Sequence, residues 1–541
     1  MIGKIKHLLS KPPAEIPKIV AVKFTLAFGT LWQRLFPPAI SMRKFRRRLG
    51  LSGSDQDSLD AIGLLFGSFF PSVDKGTAHD RLPPLGGAEI QEIITGADRV
   101  LDHIFEFLGS GPVELGKKIN WHRDFKSGKV WPKNKVENLK LVDLSDDSDV
   151  KVPWELSRFQ HLALLGRAYI FTNDEKYAAE FVDEIEDWWA ENPCGVGVNW
   201  GCTMDVAIRA ANWTWAYYFF RDCRSIEPEF WLKYFHSLYI HGRFIRANLE
   251  LGAVRGNHYL SDIVGLVYLG IMFKKTKAGR RWLSFAAAEL EREMDHQVFP
   301  DGVDHEASTS YQRLVAELFL SAVILFKENS INLSQGFLER LESMLVFTQV
   351  YTKPDGNIPL FGDADDGRLQ ILSEETRLNI NDHRYLLAVG AVLFNRADFK
   401  RAAGRFWEEA WWLLGEEGRQ KFESLPMSGE APGSKDFNDG GFYFMHHEDY
   451  YMAVDCGPVG LRGGGGHGHN DALSFELYVG DKTLISDSGT YVYTADSEER
   501  NRFRSTFAHN VIVVDGKEMA ELGTGLRLWS IADQARAKLI T

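Results

Sequence analysis

Apolar residues recur at three- and four-residue spacings from about Ile90 to Leu414, then at every second residue after Ser434, and one packed layer cannot serve both periods. The chain must therefore fold as a long run of helices followed by strands. The helical stretch is broken only briefly, at Pro, Gly and Asn. Its clearest segments are Leu156 to Phe171, Glu175 to Trp189, Met204 to Phe220, Glu229 to Asn248, His258 to Phe273 and Tyr311 to Phe326. Many consecutive amphipathic helices with short connections predict helical hairpins stacked side by side, in a toroid or solenoid.

The period-two segments are Gly441 to Met445, Tyr451 to Asp455, Ser474 to Val479, Thr483 to Ser486 and Asn510 to Val514, with Gly480-Asp481 and Asp515-Gly516 where tight hairpin turns belong. They predict an antiparallel β domain. The division is residues 1–89 as a basic arm and lead-in, 90–429 as the helical domain and 435–541 as the β domain, with EAPGSKDFND (430–439) as the linker.

Charge is distributed unevenly. Residues 1–50 hold eleven basic side chains against Glu15 alone, while the whole chain of 541 residues carries −12. The remainder is thus at −22, which argues against nucleic acid as a partner. The arm from Lys18 to Arg48 admits peripheral contact with an anionic membrane or packing on its own domain. No apolar run reaches the length of a membrane span. The apolar stretch Ile19 to Trp32 runs into Leu35-Phe36-Pro37-Pro38 in place of a cleavage site, so a cytoplasmic location is expected. Four cysteines without metal-binding spacing read as buried free thiols.

The densest polar cluster is GGGGHGHND (463–471). His467 and His469 point the same way on extended backbone, and Asp487 and His509 lie downstream. His469, Asp487 and His509 are a nitrogen and oxygen set suited to Zn²⁺, with buried hydrogen-bonded histidines as the plainer alternative. In the helical part, Arg209 sits in an otherwise apolar helix, Asn257 and His258 stand at a helix start in RGNHYLSD, and Tyr311 lies in the first turn after DHEAST. Caps and core packing explain each of these singly. FGDADDGR (361–368) has its glycine one position too early for an EF-hand and reads as a structural turn.

Taken together, NWGCTMDVAIRAANW, RGNHYL, DHEASTSYQR, FGDADDGR and GGGGHGHNDALSFELYVGDKTLISDSGTYVY with RNRFRSTFAHNVIVVDG resemble the heparinase II/III-like polysaccharide lyases over roughly residues 150–530. The resemblance implies an incomplete (α/α) toroid followed by an antiparallel β-sandwich, here shortened at its C-terminal end. It also implies β-elimination on a uronic-acid-containing acidic polysaccharide, leaving a 4,5-unsaturated uronate. By motif position Asn257 would meet the carboxylate with His258 as helper, Tyr311 would protonate the leaving oxygen and His467 would take or share the base role. Arg255 and Arg209 would supply positive potential. His469, Asp487 and His509 would hold a structural metal, zinc by family habit. An exported relative would be periplasmic; one without a signal would act on an exopolysaccharide or capsule intermediate. A glycoside hydrolase using Asp304, Glu306, Asp363 or Asp365, and a non-catalytic polysaccharide-binding protein, are the rival expectations.

Overall fold

The computed structural model describes residues 38–74, 82–252, 254–427 and 432–540. Residues 1–37, most of the basic arm and the segment on which membrane contact was expected, lie outside them. The described end of that arm is a helix, α1 (Met42–Leu49), whose Phe45 is fully buried against His236 and Tyr239. Arg46 pairs with Asp55.

The helices that follow alternate between two kinds of burial. α2 (His161–Thr172), α4 (Thr203–Phe220), α6 (Asn257–Met272), α8 (Thr309–Glu328) and α10 (Arg384–Phe394) are buried on nearly every side. α3 (Lys176–Glu191), α5 (Pro228–Ala247), α7 (Lys277–Gln297), α9 (Gln335–Tyr351) and α11 (Glu408–Ser424) each bury one face. α4 packs on α2 and α6, and α6 on α8, so the all-round apolar helices form an inner ring and their amphipathic partners an outer one. This is an (α/α) toroid. The hydrophobic effect sorts the helices: a helix apolar on all sides must be enclosed, and a one-sided helix can face water. α8 alone among the described helices is long and apolar enough to cross a membrane, and it is wholly enclosed by its neighbours.

The expected helix from Leu156 is two helices. The chain breaks between Lys151–Ser157 and α2, where Phe159 takes a left-handed backbone (φ 57°) and buries its ring against Trp121 and Trp213.

After α11 come β1 (Lys435–Phe437), β2 (Phe442–His447), β3 (Tyr450–Asp455), β4 (Phe475–Val479) and β5 (Lys482–Ile485), paired antiparallel in sequence order. Phe437, Phe442, Phe444 and Tyr451 bury one face of this sheet against Phe347, Val350 and Tyr351 of α9. A buried Lys353–Glu476 pair and the Tyr451 hydroxyl, which donates to the Tyr351 carbonyl at 2.6 Å, fasten the two parts.

Residues 510–514 are not a strand, contrary to the period-two reading. Asp515 and Gly516 do adopt the consecutive positive φ of a tight turn (53° and 64°), but the flanking residues find no ladder, and Ile512 and Val514 lie exposed. The Asn510 side chain instead donates to the carbonyls of Phe475 and Ser486, at the ends of β4 and β5. Among the described residues the β part is one five-stranded sheet.

Candidate active site

A cavity of about 390 Å³ opens between the toroid and the loops of the β domain. Tyr311, Asn257, His258 and His467 all face it, so three segments spread over more than two hundred residues meet in one cleft.

Tyr311 is delivered by a helix cap. The Ser308 hydroxyl accepts from the Tyr311 amide at 3.2 Å and itself donates to the Asp363 carbonyl, which ties the start of α8 to the FGDADDGR segment. The phenol donates to Asp365 at 2.9 Å and lies 3.4 Å from the Tyr493 hydroxyl. Burial, then the charges of Asp365 and Asp363, push the Tyr311 phenol well above its ordinary range, so it keeps its proton.

His467 stacks on the Tyr311 ring, centroids 3.9 Å apart and 23° from parallel. Its loop lies close against the toroid: the His467 carbonyl accepts from the Asp363 amide at 2.8 Å, and a Cβ on Gly460 would come within 2.4 Å of the Glu306 carbonyl oxygen. Within the glycine run, Gly463 and Gly465 take positive φ (87° and 66°), and a Cβ on Gly465 would come within 2.4 Å of the Ile531 carbonyl oxygen.

Asp363 is the pivot. One oxygen accepts from His467 Nδ1 at 2.9 Å, the other from His469 Nε2 at 2.9 Å, and Arg500 grips both at 3.2 and 2.8 Å. Burial alone would raise this carboxyl, but Arg500 and the two histidines overcome it and hold it well below the usual range. An ionised carboxylate only accepts, so the bonded nitrogens carry the protons. In the neutral form of each ring the lone pair then falls on His467 Nε2 and His469 Nδ1.

Asn257, first residue of α6, turns its amide NH₂ to Glu306, at 2.8 and 3.0 Å from the two oxygens, and its backbone NH donates to Glu306 at 2.7 Å. Its Oδ1 is buried without a partner. His467 Nε2 lies 3.5 Å from the same carboxylate. His258, half-exposed, pairs through Nδ1 with Glu250 at 2.9 Å.

The two arginines expected to meet substrate stand elsewhere. Arg209 is fully buried between Trp188 and Trp200, and its guanidinium donates to His241 Nε2 at 3.0 Å and to the carbonyls of Ser157 and Asn199. Burial lowers it to about 9. It organises the toroid interior and does not reach the cleft, because Trp188 of α3 and Trp200, which precedes α4, enclose it. Arg255 pairs with Glu293 at 3.1 Å and lies 3.9 Å from Glu289, both on α7, outside the cavity. The cations that do face the cavity are Lys151, bonded to Asp365, and Arg158, bonded to Glu155 and Asp205.

Sequence reasoning missed Lys151 and Arg158, which belong to no motif, and gave Asp363 and Asp365 only as part of a turn or as acids of the rival hydrolase; the density of acids in FGDADDGR was the available signal. It also gave Trp529 no role, though this ring covers Arg500 at 4.0 Å, stacks on Tyr493 and meets the His467 ring edge-on at 5.8 Å.

Behind His467 lies a second cluster. His509 Nδ1 donates to Asp487 at 2.7 Å, leaving Nε2 as its lone pair, and both His509 Nε2 and His469 Nδ1 are buried without a partner. One ligand atom each from His469, His509 and Asp471 lie within 4.8 Å of one another. Two orphaned imidazole nitrogens beside a carboxylate fit a Zn²⁺ site. Asp487, expected as a ligand, lies against His509 Nδ1 at 2.7 Å and belongs to the same cluster.

A helical toroid whose cleft is completed by a histidine loop from an appended antiparallel sheet is the class these features define. A family model described as Heparinase II/III N-terminus matches residues 88–381, and one described as Heparinase II/III-like, C-terminal, matches residues 429–538. The chain belongs to the heparinase II/III family. It is 25% identical over 440 residues to a heparin-sulfate lyase of Pedobacter heparinus, covering 78% of this chain and 58% of that protein. A heparin-sulfate lyase of Bacteroides stercoris is 24% identical over 470 residues, covering 80% and 61%. The chain thus spans about three fifths of the length of these relatives. Among solved structures, a heparinase III superposes with a TM-score of 0.64 at 19% identity, covering 90% of this chain and 70% of that one. The heparan sulfate lyase HepC from Pedobacter heparinus gives 0.52 at 22%, covering 87% and 68%. These structures share the fold.

Proposed function

We propose that the protein is a polysaccharide lyase that cleaves a uronic-acid-containing acidic polysaccharide by β-elimination. The observation that carries the reading is the stacked Tyr311–His467 pair, a phenol kept protonated beside an imidazole whose free lone pair is Nε2. Elimination needs one group to take the C5 proton and another to protonate O4 as the C4–O4 bond breaks and the C4–C5 double bond forms. His467 Nε2 takes the first proton. Tyr311 gives the second, and its phenolate is briefly met by the Lys151 ammonium, which is bonded to the same Asp365. Asn257 neutralises the uronate carboxylate by passing its NH₂ from Glu306 to the substrate. His258 assists at the cleft wall.

Zinc, held by His469 Nδ1, His509 Nε2 and Asp471, would supply structural support for the loop that carries His467. A heparan-type glycan is the first substrate to test, because the matched relatives are named for it; alginate and exopolysaccharides are the alternatives, the latter fitting an enzyme retained in the producing cell.

Hydrolysis by paired carboxylates is less well supported. Asp363 is locked in its ionised form by Arg500 and two histidines, and Asp365 is held low, against burial, by Lys151; neither can serve as an acid. Incubation with heparan sulfate, alginate and hyaluronan, followed by absorbance of the unsaturated uronate and product mass, tests the reading. New reducing ends without the absorbance would overturn it.

A further inference from the structure

At the cleft wall, three side chains from three segments converge. Cys202 is the N-cap residue of α4, Glu250 follows α5, and His258 is in the first turn of α6. The Cys202 thiol lies 3.8 Å from Glu250 Oε2 and 3.8 Å from His258 Nδ1, and the last two atoms are 2.9 Å apart. Around a tetrahedral zinc ion, with bonds of about 2.0–2.1 Å to nitrogen and oxygen and about 2.3 Å to sulfur, ligand atoms stand roughly 3.3–3.6 Å apart. The triangle already has that size to within a few tenths of an ångström.

We propose that Cys202, Glu250 and His258 form a transition-metal site, distinct from the His469–His509 cluster, that takes Zn²⁺ or a similar borderline cation at the wall of the cleft. The donor set suits such an ion: one thiolate, one imidazole and one carboxylate leave a fourth position open. Carboxyl groups crowd around it, and burial together with the Glu250 charge pushes the Asp262 carboxyl well above its ordinary range. Asp262 accepts from the Glu250 amide at 2.7 Å, and its other oxygen is buried without a partner. Asp205 lies close by with Arg158 as its counter-ion. A cation between Glu250 and His258 would relieve this crowding. His258 is half-exposed, so an ion has access from the cavity.

Binding exchanges protons for ligand bonds. The thiol proton of Cys202 and the Nδ1 proton of His258 leave to solvent, and the imidazole keeps or takes up a proton at Nε2. No redox change is involved.

Cobalt(II) reports the site directly, because a thiolate ligand gives an intense near-ultraviolet charge-transfer band that the His469, Asp471 and His509 donors cannot produce. Titrating the full-length protein with Co²⁺ after dialysis against a chelator should raise this band to a plateau within two equivalents, and excess Zn²⁺ should abolish it. Cys202→Ser and Cys202→Ala should lose the band while retaining the wild-type circular dichroism. The triple variant Cys194→Ser, Cys223→Ser, Cys456→Ser should keep it, which tests the site even where a Cys202 variant fails to fold. No band in the wild type, an undiminished band in folded Cys202→Ser, or its loss in the folded triple variant would each overturn the proposal. This readout does not depend on the lyase reading.

Discussion

His467 and His469 hang from the two oxygens of one carboxylate, Asp363, each at 2.9 Å and each through a different ring nitrogen. Because the first uses Nδ1 and the second Nε2, the two lone pairs open in different places. One faces the cleft beside Tyr311 and the other faces His509. A single buried charge thus joins the proposed catalytic base to the proposed metal site.

Replacing that charge should damage both. Asp363→Asn removes the countercharge of buried Arg500 and the reason for both tautomers, so unfolding free energy should fall by about 3–5 kcal/mol. Turnover should be lost with it. His467→Ala should abolish turnover while shifting thermal unfolding far less. Chemical denaturation of the two variants side by side checks the contrast.

Tyr311→Phe keeps the ring that stacks on His467 and removes only the hydroxyl that donates to Asp365. Lyase turnover, followed by the absorbance of the unsaturated product, should drop roughly 10²–10⁴-fold. Stability should change by only about 1 kcal/mol, the worth of one hydrogen bond. Because the phenol is pushed above its ordinary value of about 10, Tyr311 should impose no fall in turnover below that pH.

Glu306 places a carboxylate against Asn257, where the substrate's own carboxylate is proposed to bind. Glu306→Gln keeps an acceptor for the Asn257 NH₂ and removes the repulsion. KM for an anionic glycan should fall several-fold, the effect of about 1 kcal/mol, and the gain should shrink as salt is added. An unchanged KM at low salt would separate Glu306 from carboxylate recognition.

Chelation should expose the role of the His469–His509 cluster. Elemental analysis should find about one zinc per chain beyond any ion at Cys202, and His469→Ala or Asp471→Asn should lose it. In the proposed site Asp487 acts through His509, so Asp487→Asn should weaken binding by roughly 10–100-fold without abolishing it, whereas complete loss of zinc would make Asp487 a ligand.

Away from the cleft, His103 is pushed up to about 9, first by its bond to Glu180, against burial, with the Gly116 carbonyl and Glu184 adding to the rise. Its folded value exceeds the unfolded value of about 6.5, so this stabilisation is fully present below pH 6.5 and is lost as pH rises through about 9. After allowance for solvent screening it is worth about 1 kcal/mol. His103→Gln should therefore lose about that much at pH 6 and little at pH 9.5, measured by urea unfolding at both values.

The order of helices and strands was readable from the sequence because periodicity depends on neighbours three, four or two residues apart. Tyr311, His467 and Asn257 stood out because each lies in a dense polar motif, and the fold brings all three to one cavity. Periodicity could not tell whether Asn510 to Val514 had a partner strand, since pairing is a property of two segments. The outcome for Arg209 was decided by Trp188 and Trp200, which enclose it from other parts of the chain. Asp363, Lys151 and Glu306 acquired their roles in the same way, from side chains brought within 4 Å by a fold that local composition does not record. The sequence by itself determined that a run of helices precedes a set of strands and where the polar motifs stand. Only the tertiary structure decided which charge meets which nitrogen, because a hydrogen bond or ion pair acts over a few ångströms of space, whatever the distance along the chain.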